Sequence, residues 1–288
     1  MGHHILPQYY LRGFAQPGEV ELWRYEKGKT NPLFLPIKGI AQEKGLYGDV
    51  ESYLAERIEK PVINALKKIR NREAVSEIDK KDLCKYIFVF AKRVKAAFNR
   101  FKDNAPRIAK DQMDELDRYL RDLETKNPDK ASYCDSVRKN AQRIYNDLAE
   151  NPSKEVWARA IQFDNGIARE LLSQMTWTFY CCKEPDIFIT SDNPVFIHRS
   201  IGVRPRHADM SFSISKNISL LASWQNLRDQ KYLEATSQQI KELNRRTAYN
   251  ATRFVYSPVE KVWITDLLNK KEHRIHLWAL LSSSQTYR

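Results

Sequence analysis

Long apolar runs are missing from this chain of 288 residues. None approaches the ~20 residues that a bilayer-spanning helix needs, so the sequence predicts no membrane partner. A charged and then apolar leader is also missing, which predicts a cytoplasmic protein. Because 42% of the residues are hydrophobic and 11% are aromatic, the composition is not that of a disordered polymer.

Glycine and cysteine are scarce, and their scarcity argues against several classes of enzyme. The nine glycines form neither a Walker A loop nor a Gly-x-Gly-x-x-Gly fingerprint, which excludes the common phosphate-loop and dinucleotide-binding motifs. The four cysteines have no Cys-x-x-Cys spacing, which argues against a zinc ribbon or a redox pair. We therefore expect buried, reduced thiols.

Acidic residues are outnumbered in this protein. The chain has 48 Lys and Arg against 36 Asp and Glu, a formal net charge of +12. Such a charge attracts polyanions, so the predicted partners are nucleic acid or a nucleotide, or an acidic protein. The alternative explanation of this charge is a solvated basic surface without such a partner. A nucleic-acid binding surface would require the basic run at 67–72 to form one patch with the cations of the next predicted helix. These cations are Lys92, Arg93, Lys95, Arg100 and Lys102.

The spacing of apolar residues predicts an α+β fold in a single domain, 1–288. Residues 20–25 alternate like a half-buried strand. From about 49 to 175 the apolar residues recur every three or four positions, typical of a helical bundle. Short β-branched and aromatic runs from about 176 to 288, interrupted by a helix at 237–249, predict a β-rich region that packs with the N-terminal segment. The helices of the bundle are predicted at 54–69 with a kink or a fresh start at Pro61, at 79–102 with Ser76 or Asp79 as its cap, and at 109–124, 131–150 and 154–174.

The first motif reads His-His-Ile-Leu-Pro-Gln-Tyr-Tyr-Leu-Arg-Gly-Phe and occupies residues 3–14. Its aromatic and aliphatic side chains carry too much apolar area for a frayed tail, so we expect an ordered, packed segment. His3 and His4 are neighbours that face opposite ways in an extended chain, so at most one reaches a given site. Arg12 is a candidate for pinning the segment or for binding substrate.

The second motif is Phe-Ile-Thr-Ser-Asp-Asn-Pro-Val at residues 188–195. Here Asp192 and Asn193 directly follow a predicted buried strand, and side chains at the end of a strand are well placed to serve a site. Asp192 is therefore the leading catalytic candidate and Asn193 a substrate-binding candidate. The alternative is an Asx turn, in which these side chains bond nearby backbone N–H groups.

An acidic helix and an arginine complete the candidate site. Glu51 and Glu59 lie two turns apart, and carboxylates in such positions can bind a divalent cation or transfer protons. A solvated helix face is the alternative. Arg93 lies near an apolar stripe, where a buried guanidinium needs a carboxylate or phosphate partner.

The two motifs resemble those of the domain-of-unknown-function family 4238. Three weaker features agree: the Leu-Trp-Arg-Tyr strand at 22–25, the acidic helix at 51–59 and Arg93 in the next helix. The resemblance implies a bacterial, cytosolic protein and brings with it no established activity.

Two hypotheses about function follow from these residues. The first is a nuclease or other hydrolase of phosphodiesters or nucleotides, with His4, Glu51, Glu59, Arg93 and Asp192 as catalytic residues and His3, Arg12 and Asn193 binding substrate. A divalent cation would suit that chemistry, although no metal motif is present. The alternative is a non-catalytic module that binds nucleic acid or a protein and uses the motifs only to lock its fold.

Overall fold

The computed structural model describes residues 2–4, 6–40, 42–44, 50–162, 166–197, 204–225 and 231–270. Helices occupy the middle of the chain and strands lie towards both ends. The fold is therefore α+β, as the sequence predicts.

The N-terminal part contains a short helix and four strands. Strand β1 pairs antiparallel with β4, and β2 pairs antiparallel with β3. The strand predicted at 20–25 corresponds to β2, shifted by one residue. The elements are β1 (Gly2–His4), α1 (Gln8–Arg12), β2 (Glu21–Glu26), β3 (Leu33–Pro36) and β4 (Gln42–Lys44).

Within the described residues 50–162 and 166–174, seven α-helices follow. They are α2 (Val50–Leu54), α3 (Lys60–Arg70), α4 (Glu77–Arg93), α5 (Lys95–Lys126), α6 (Ala131–Glu150), α7 (Lys154–Gln162) and α8 (Gly166–Gln174).

The kink predicted at Pro61 takes the form of a π-helical turn at Ala55–Glu59, between α2 and α3. Proline offers no backbone N–H, so the regular ladder of hydrogen bonds cannot continue through it, and a wider turn is one way to absorb the defect. Helix α4 begins at a capping box in which Ser76 and Asp79 each bond the other's backbone N–H. Both predicted cap residues are therefore used.

The predicted helix 79–102 is wrong in its extent, because the chain leaves the helical conformation at Val94. Val94 is extended, with φ −78° and ψ 152°, and its side chain is fully buried. Helix α5 starts directly after it and continues through the range predicted as a separate helix, 109–124. The predicted helix 154–174 is described as two helices, α7 and α8, with 163–165 outside the described residues.

The described residues of the C-terminal part, 176–197, 204–225 and 231–270, form seven strands and two α-helices. They are β5 (Thr176–Cys181), β6 (Thr190–Ser191), β7 (Val195–Ile197), β8 (Asp209–Ser215), β9 (Ile218–Ser223), β10 (Lys231–Glu234), α9 (Ser237–Asn250), β11 (Phe254–Ser257) and α10 (Val262–Asn269). Strands β8 and β10 are absent from the sequence prediction.

Two sheets order these strands. A five-stranded sheet has the order β10-β5-β9-β8-β7, and only its β10–β5 pair is parallel. A four-stranded sheet has the order β3-β2-β11-β6 and combines strands from both ends of the chain. The N-terminal segment therefore packs with the β-rich region. The four cysteines are buried free thiols, as expected.

Candidate functional site

The first motif is packed into the centre of the molecule. Leu6, Tyr10, Leu11 and Phe14 are each 0% exposed, which confirms the prediction of an ordered segment. The Tyr10 hydroxyl donates to the Ser213 carbonyl at 2.8 Å. It lies 2.7 Å from Thr190 Oγ1, and since its one proton is already used, Thr190 is the donor there. This contact joins the first motif to the second.

Gly13 of the first motif makes room for a partly buried arginine. Arg70 Nη2 lies 3.2 to 3.4 Å from the carbonyl oxygens of Tyr9, Tyr10 and Ile214. A Cβ atom on Gly13 would lie 2.5 Å from the same nitrogen. Burial lowers the pKa of Arg70, and backbone oxygens compensate for the lost water. A side chain at position 13 would therefore displace this guanidinium from its present position.

The remaining polar residues of the first motif form no described site. His3 pairs with Glu43 and His4 with Gln42 in the β1–β4 ladder, while the side chains of both histidines lie outside the described residues. Arg12 is exposed at the last turn of α1. The roles proposed for these three residues stay predictions.

Glu59 and Arg93 form an ion pair between Nη1 of the arginine and Oε1 of the glutamate. The Arg93 side chain is 2% exposed and that of Glu59 is 29% exposed. The π-helical turn that ends at Glu59 presents the carboxylate to α4. Arg93 thus has the carboxylate partner that the sequence requires for a buried guanidinium. Glu51 begins the same helical segment, in α2.

Tyr86 is a buried neighbour of this ion pair that sequence reasoning missed. Its hydroxyl has no hydrogen-bond partner among the described residues. Burial raises the pKa of Tyr86 well above its usual value, and the nearby Glu59 carboxylate raises it further. The phenol is therefore neutral and unsuited to act as a base at ordinary pH.

Asp192 binds the chain just before β11. Its Oδ1 accepts from Thr252 N at 2.8 Å, and its Oδ2 accepts from Arg253 N at 2.8 Å and Phe254 N at 3.2 Å. Burial raises the pKa of Asp192, and these three backbone donors lower it in part. The carboxylate organises a connection 60 residues away in sequence, whereas the predicted Asx turn would have bonded nearby backbone N–H groups.

Asn193 and Asn250 bond each other's backbone. Asn193 Nδ2 donates to Asn250 O at 2.9 Å, and Asn250 Nδ2 donates to Asn193 O at 2.7 Å and to Val195 O at 2.8 Å. Asn193 is 3% exposed. The Asp-Asn pair of the second motif therefore ties β6 and β7 to the end of α9 and the start of β11.

The structure thus gives the sequence candidates two different sets of partners. Glu59 and Arg93 contact each other, whereas the side-chain hydrogen bonds described for Asp192 and Asn193 go to residues 250–254. Among the described residues, no group of three or more His, Cys, Asp or Glu side chains is placed to hold a metal ion. The composite catalytic site stays a prediction, since it depends on histidines whose side chains are not described.

A different surface combines positive charge with aromatic rings. A groove of about 460 Å³ lies where α4, α5 and α7 meet. We call it the basic groove, and its described lining is Ala91, Lys92, Ala97, Arg100, Phe101, Asn104, Arg107, Ile108, Trp157 and Ile161. Three of these residues are cationic and none of them is acidic.

The basic groove contains part of the patch expected from the sequence. Lys92 and Arg100 line it, Lys95 and Lys102 are exposed nearby on α5, and Arg93 turns inwards to Glu59. Arg107 and Trp157 were not among the residues predicted for this patch. Arg107 follows Arg100 by seven residues on one helix face, a signal that the sequence does contain.

The basic run at 67–72 does not contribute to the groove lining. Lys68 donates to Asp79 at 2.6 Å, Arg70 is held by three carbonyl oxygens, and Arg72 lies 3.4 Å from Glu234. These cations have intramolecular partners, so they form part of the fold.

A larger cavity of about 650 Å³ between α9, α10 and the loop at 185–187 has a mixed lining. Asp186 and Asp266 accompany Lys241, Arg245 and Lys270 there. Carboxylates repel a polyanion, so this cavity suits one less well than the basic groove does.

Comparison with known proteins agrees with the motifs. The family model described as Protein of unknown function (DUF4238) matches residues 2–260. The chain belongs to this family. No curated protein and no solved structure matches it significantly. Among the described residues, no helix is both long and apolar enough to cross a membrane.

Proposed function

We propose that this protein is a non-catalytic module that binds nucleic acid in the basic groove. The observation that carries the proposal is the lining of that groove, where Lys92, Arg100 and Arg107 surround aromatic and aliphatic side chains without a described carboxylate. Lysine and arginine side chains bind phosphates and release the counterions of the nucleic acid. Bases stack on aromatic rings. The net charge of +12 would add long-range attraction.

The contacts of the two motifs favour binding over hydrolysis. Asp192 and Asn193 bond backbone groups, and Glu59 neutralises a buried arginine. These are roles that lock a fold. The hydrolase hypothesis, with its divalent cation, has no comparable observation in its favour. A cytosolic location belongs to the same proposal, and the four buried free thiols support it.

A charge-matched pair of variants tests the proposal. We expect Arg100→Gln/Arg107→Gln to weaken binding of a labelled oligonucleotide at least about tenfold at low salt, because two phosphate contacts are lost. The slope of log affinity against log salt should fall by about 1.4 for a single strand, at about 0.7 per contact. Fluorescence anisotropy over a salt series measures both quantities.

The control is Lys130→Gln/Lys139→Gln, which removes the same charge from two exposed positions outside the groove lining, one in the α5–α6 connection and one within α6. It should bind almost like the parent. Equal losses in the two double variants would mean that a diffuse basic surface binds. Absence of binding by the parent at low salt would overturn the proposal.

A further inference from the structure

We propose that the basic groove selects single-stranded over duplex nucleic acid, with phosphates on its cationic rim and at least one base against its apolar floor. This inference rests on the proposed function and adds the class of ligand. It follows from how the two kinds of lining residue are arranged.

The rim is a row of polar side chains on α5 with a lysine opposite. Arg100, Asn104 and Arg107 follow one another at steps of one helical turn, and Lys92 comes from α4. Seven residues at ~1.5 Å each place Arg100 and Arg107 ~10 Å apart along the helix axis. A strand lying along this row meets a cation at each end.

The floor consists of apolar side chains, among which two are aromatic. Trp157 is 3% exposed, and Phe98 supports it at 5.2 Å between ring centroids. Phe101 is only partly buried, so its ring is available to a ligand. Flat bases cover such a surface by stacking, in a manner that tolerates any base sequence.

A duplex fits this arrangement poorly. Its bases are paired and stacked inside the helix, so only phosphates and sugars would approach the rim. The accessible part of the apolar floor, which includes the partly buried Phe101, would then gain no contact, and its contribution to binding would be lost. A single strand can turn a base into a recess of about 460 Å³ while its phosphates remain on the rim.

The test compares oligo(dT) of 12 nucleotides with a blunt duplex of 12 base pairs by fluorescence anisotropy. We expect the parent to bind the single strand at least about tenfold more tightly, the scale of one stacked base. Phe101→Leu keeps an apolar side chain but removes the ring. It should cut affinity for oligo(dT) about tenfold and leave duplex affinity unchanged.

The matched control is Tyr119→Leu, which removes an aromatic ring from an exposed position on α5 outside the groove. It should leave both affinities unchanged. Melting temperatures of both variants show whether they fold. Phe101→Tyr keeps a stacking ring and should bind oligo(dT) like the parent. If Phe101→Leu is unstable, the parent's preference between oligo(dT) and the duplex still decides.

The outcomes separate this inference from the proposed function. Equal affinity of the parent for both nucleic acids, or equal losses in Phe101→Leu and Tyr119→Leu, would overturn single-strand selection and leave nucleic-acid binding in place. If neither nucleic acid binds at low salt, the proposed function fails together with this inference.

Discussion

Asp192 shows how one side chain can connect distant parts of the chain. Its two oxygens accept hydrogen bonds from three consecutive backbone N–H groups at 252–254. Phe254, the last of them, begins β11. In the adjoining ladder, Val255 pairs with Ser191. The carboxylate therefore fixes how β6 meets β11.

We predict that Asp192→Asn destabilises the protein by about 1–3 kcal/mol, since an amide keeps one acceptor oxygen and turns an N–H donor towards backbone donors. Chemical denaturation measures the change. Asp192→Ala should cost at least as much, because it removes all three bonds. If Asp192→Asn kept the stability of the parent but lost a ligand or an activity, Asp192 would have a direct functional role.

At the scale of elements, the π-helical turn between α2 and α3 places Glu59 beside α4. Its carboxylate faces Arg93, the last residue of α4, just before the helix breaks at Val94. Removing Glu59 takes a carboxylate away from a guanidinium that is 2% exposed, and removing one partner of a buried ion pair costs more than the pair itself contributes. The irregular turn and the helix break are thus coupled through one contact.

Glu59→Ala should therefore lower the free energy of unfolding by about 3 kcal/mol, the scale measured when one partner of a buried pair is removed. Glu56→Ala is the matched control in the same turn. Its ion pair with Lys60 joins two exposed side chains, so the expected loss is below about 0.5 kcal/mol. Urea denaturation measures the free energy of unfolding of both variants. Equal values would show that the contact between Glu59 and Arg93 does not stabilise the fold.

The sequence predicts a helix well where the period of its apolar residues and its capping residues indicate the same bounds. The helix at 131–150 has the predicted bounds, and Ser76 with Asp79 caps α4. Strand β8 was not predicted, although its serines alternate with apolar residues in the two-residue period of a half-buried strand. Burial of its serine face as well depends on tertiary packing, which this period does not indicate. The break at Val94 was not predicted either, since the apolar period continues through it and only tertiary packing favours the break.

Across the whole molecule, the two motifs meet through Tyr10 and Thr190, although 180 residues separate them. The sequence predicts that these motifs matter and that the first one is packed. It does not predict which side chains they contact, because such contacts depend on how distant elements pack. The basic groove has the same origin, since Arg107 and Trp157 come from helices that are separate in sequence.

The basic groove is the proposed binding surface for nucleic acid, while the two motifs hold the fold. Photo-crosslinking of an oligonucleotide that carries 5-iododeoxyuridine, followed by mass spectrometry of the peptides, locates the bound strand. We expect the crosslinks on the groove wall, at Phe101 and neighbouring residues of α5 and at α7. Crosslinks concentrated at the cavity between α9 and α10 or at the tip of the α5–α6 hairpin, with none in the groove, would show that nucleic acid binds elsewhere.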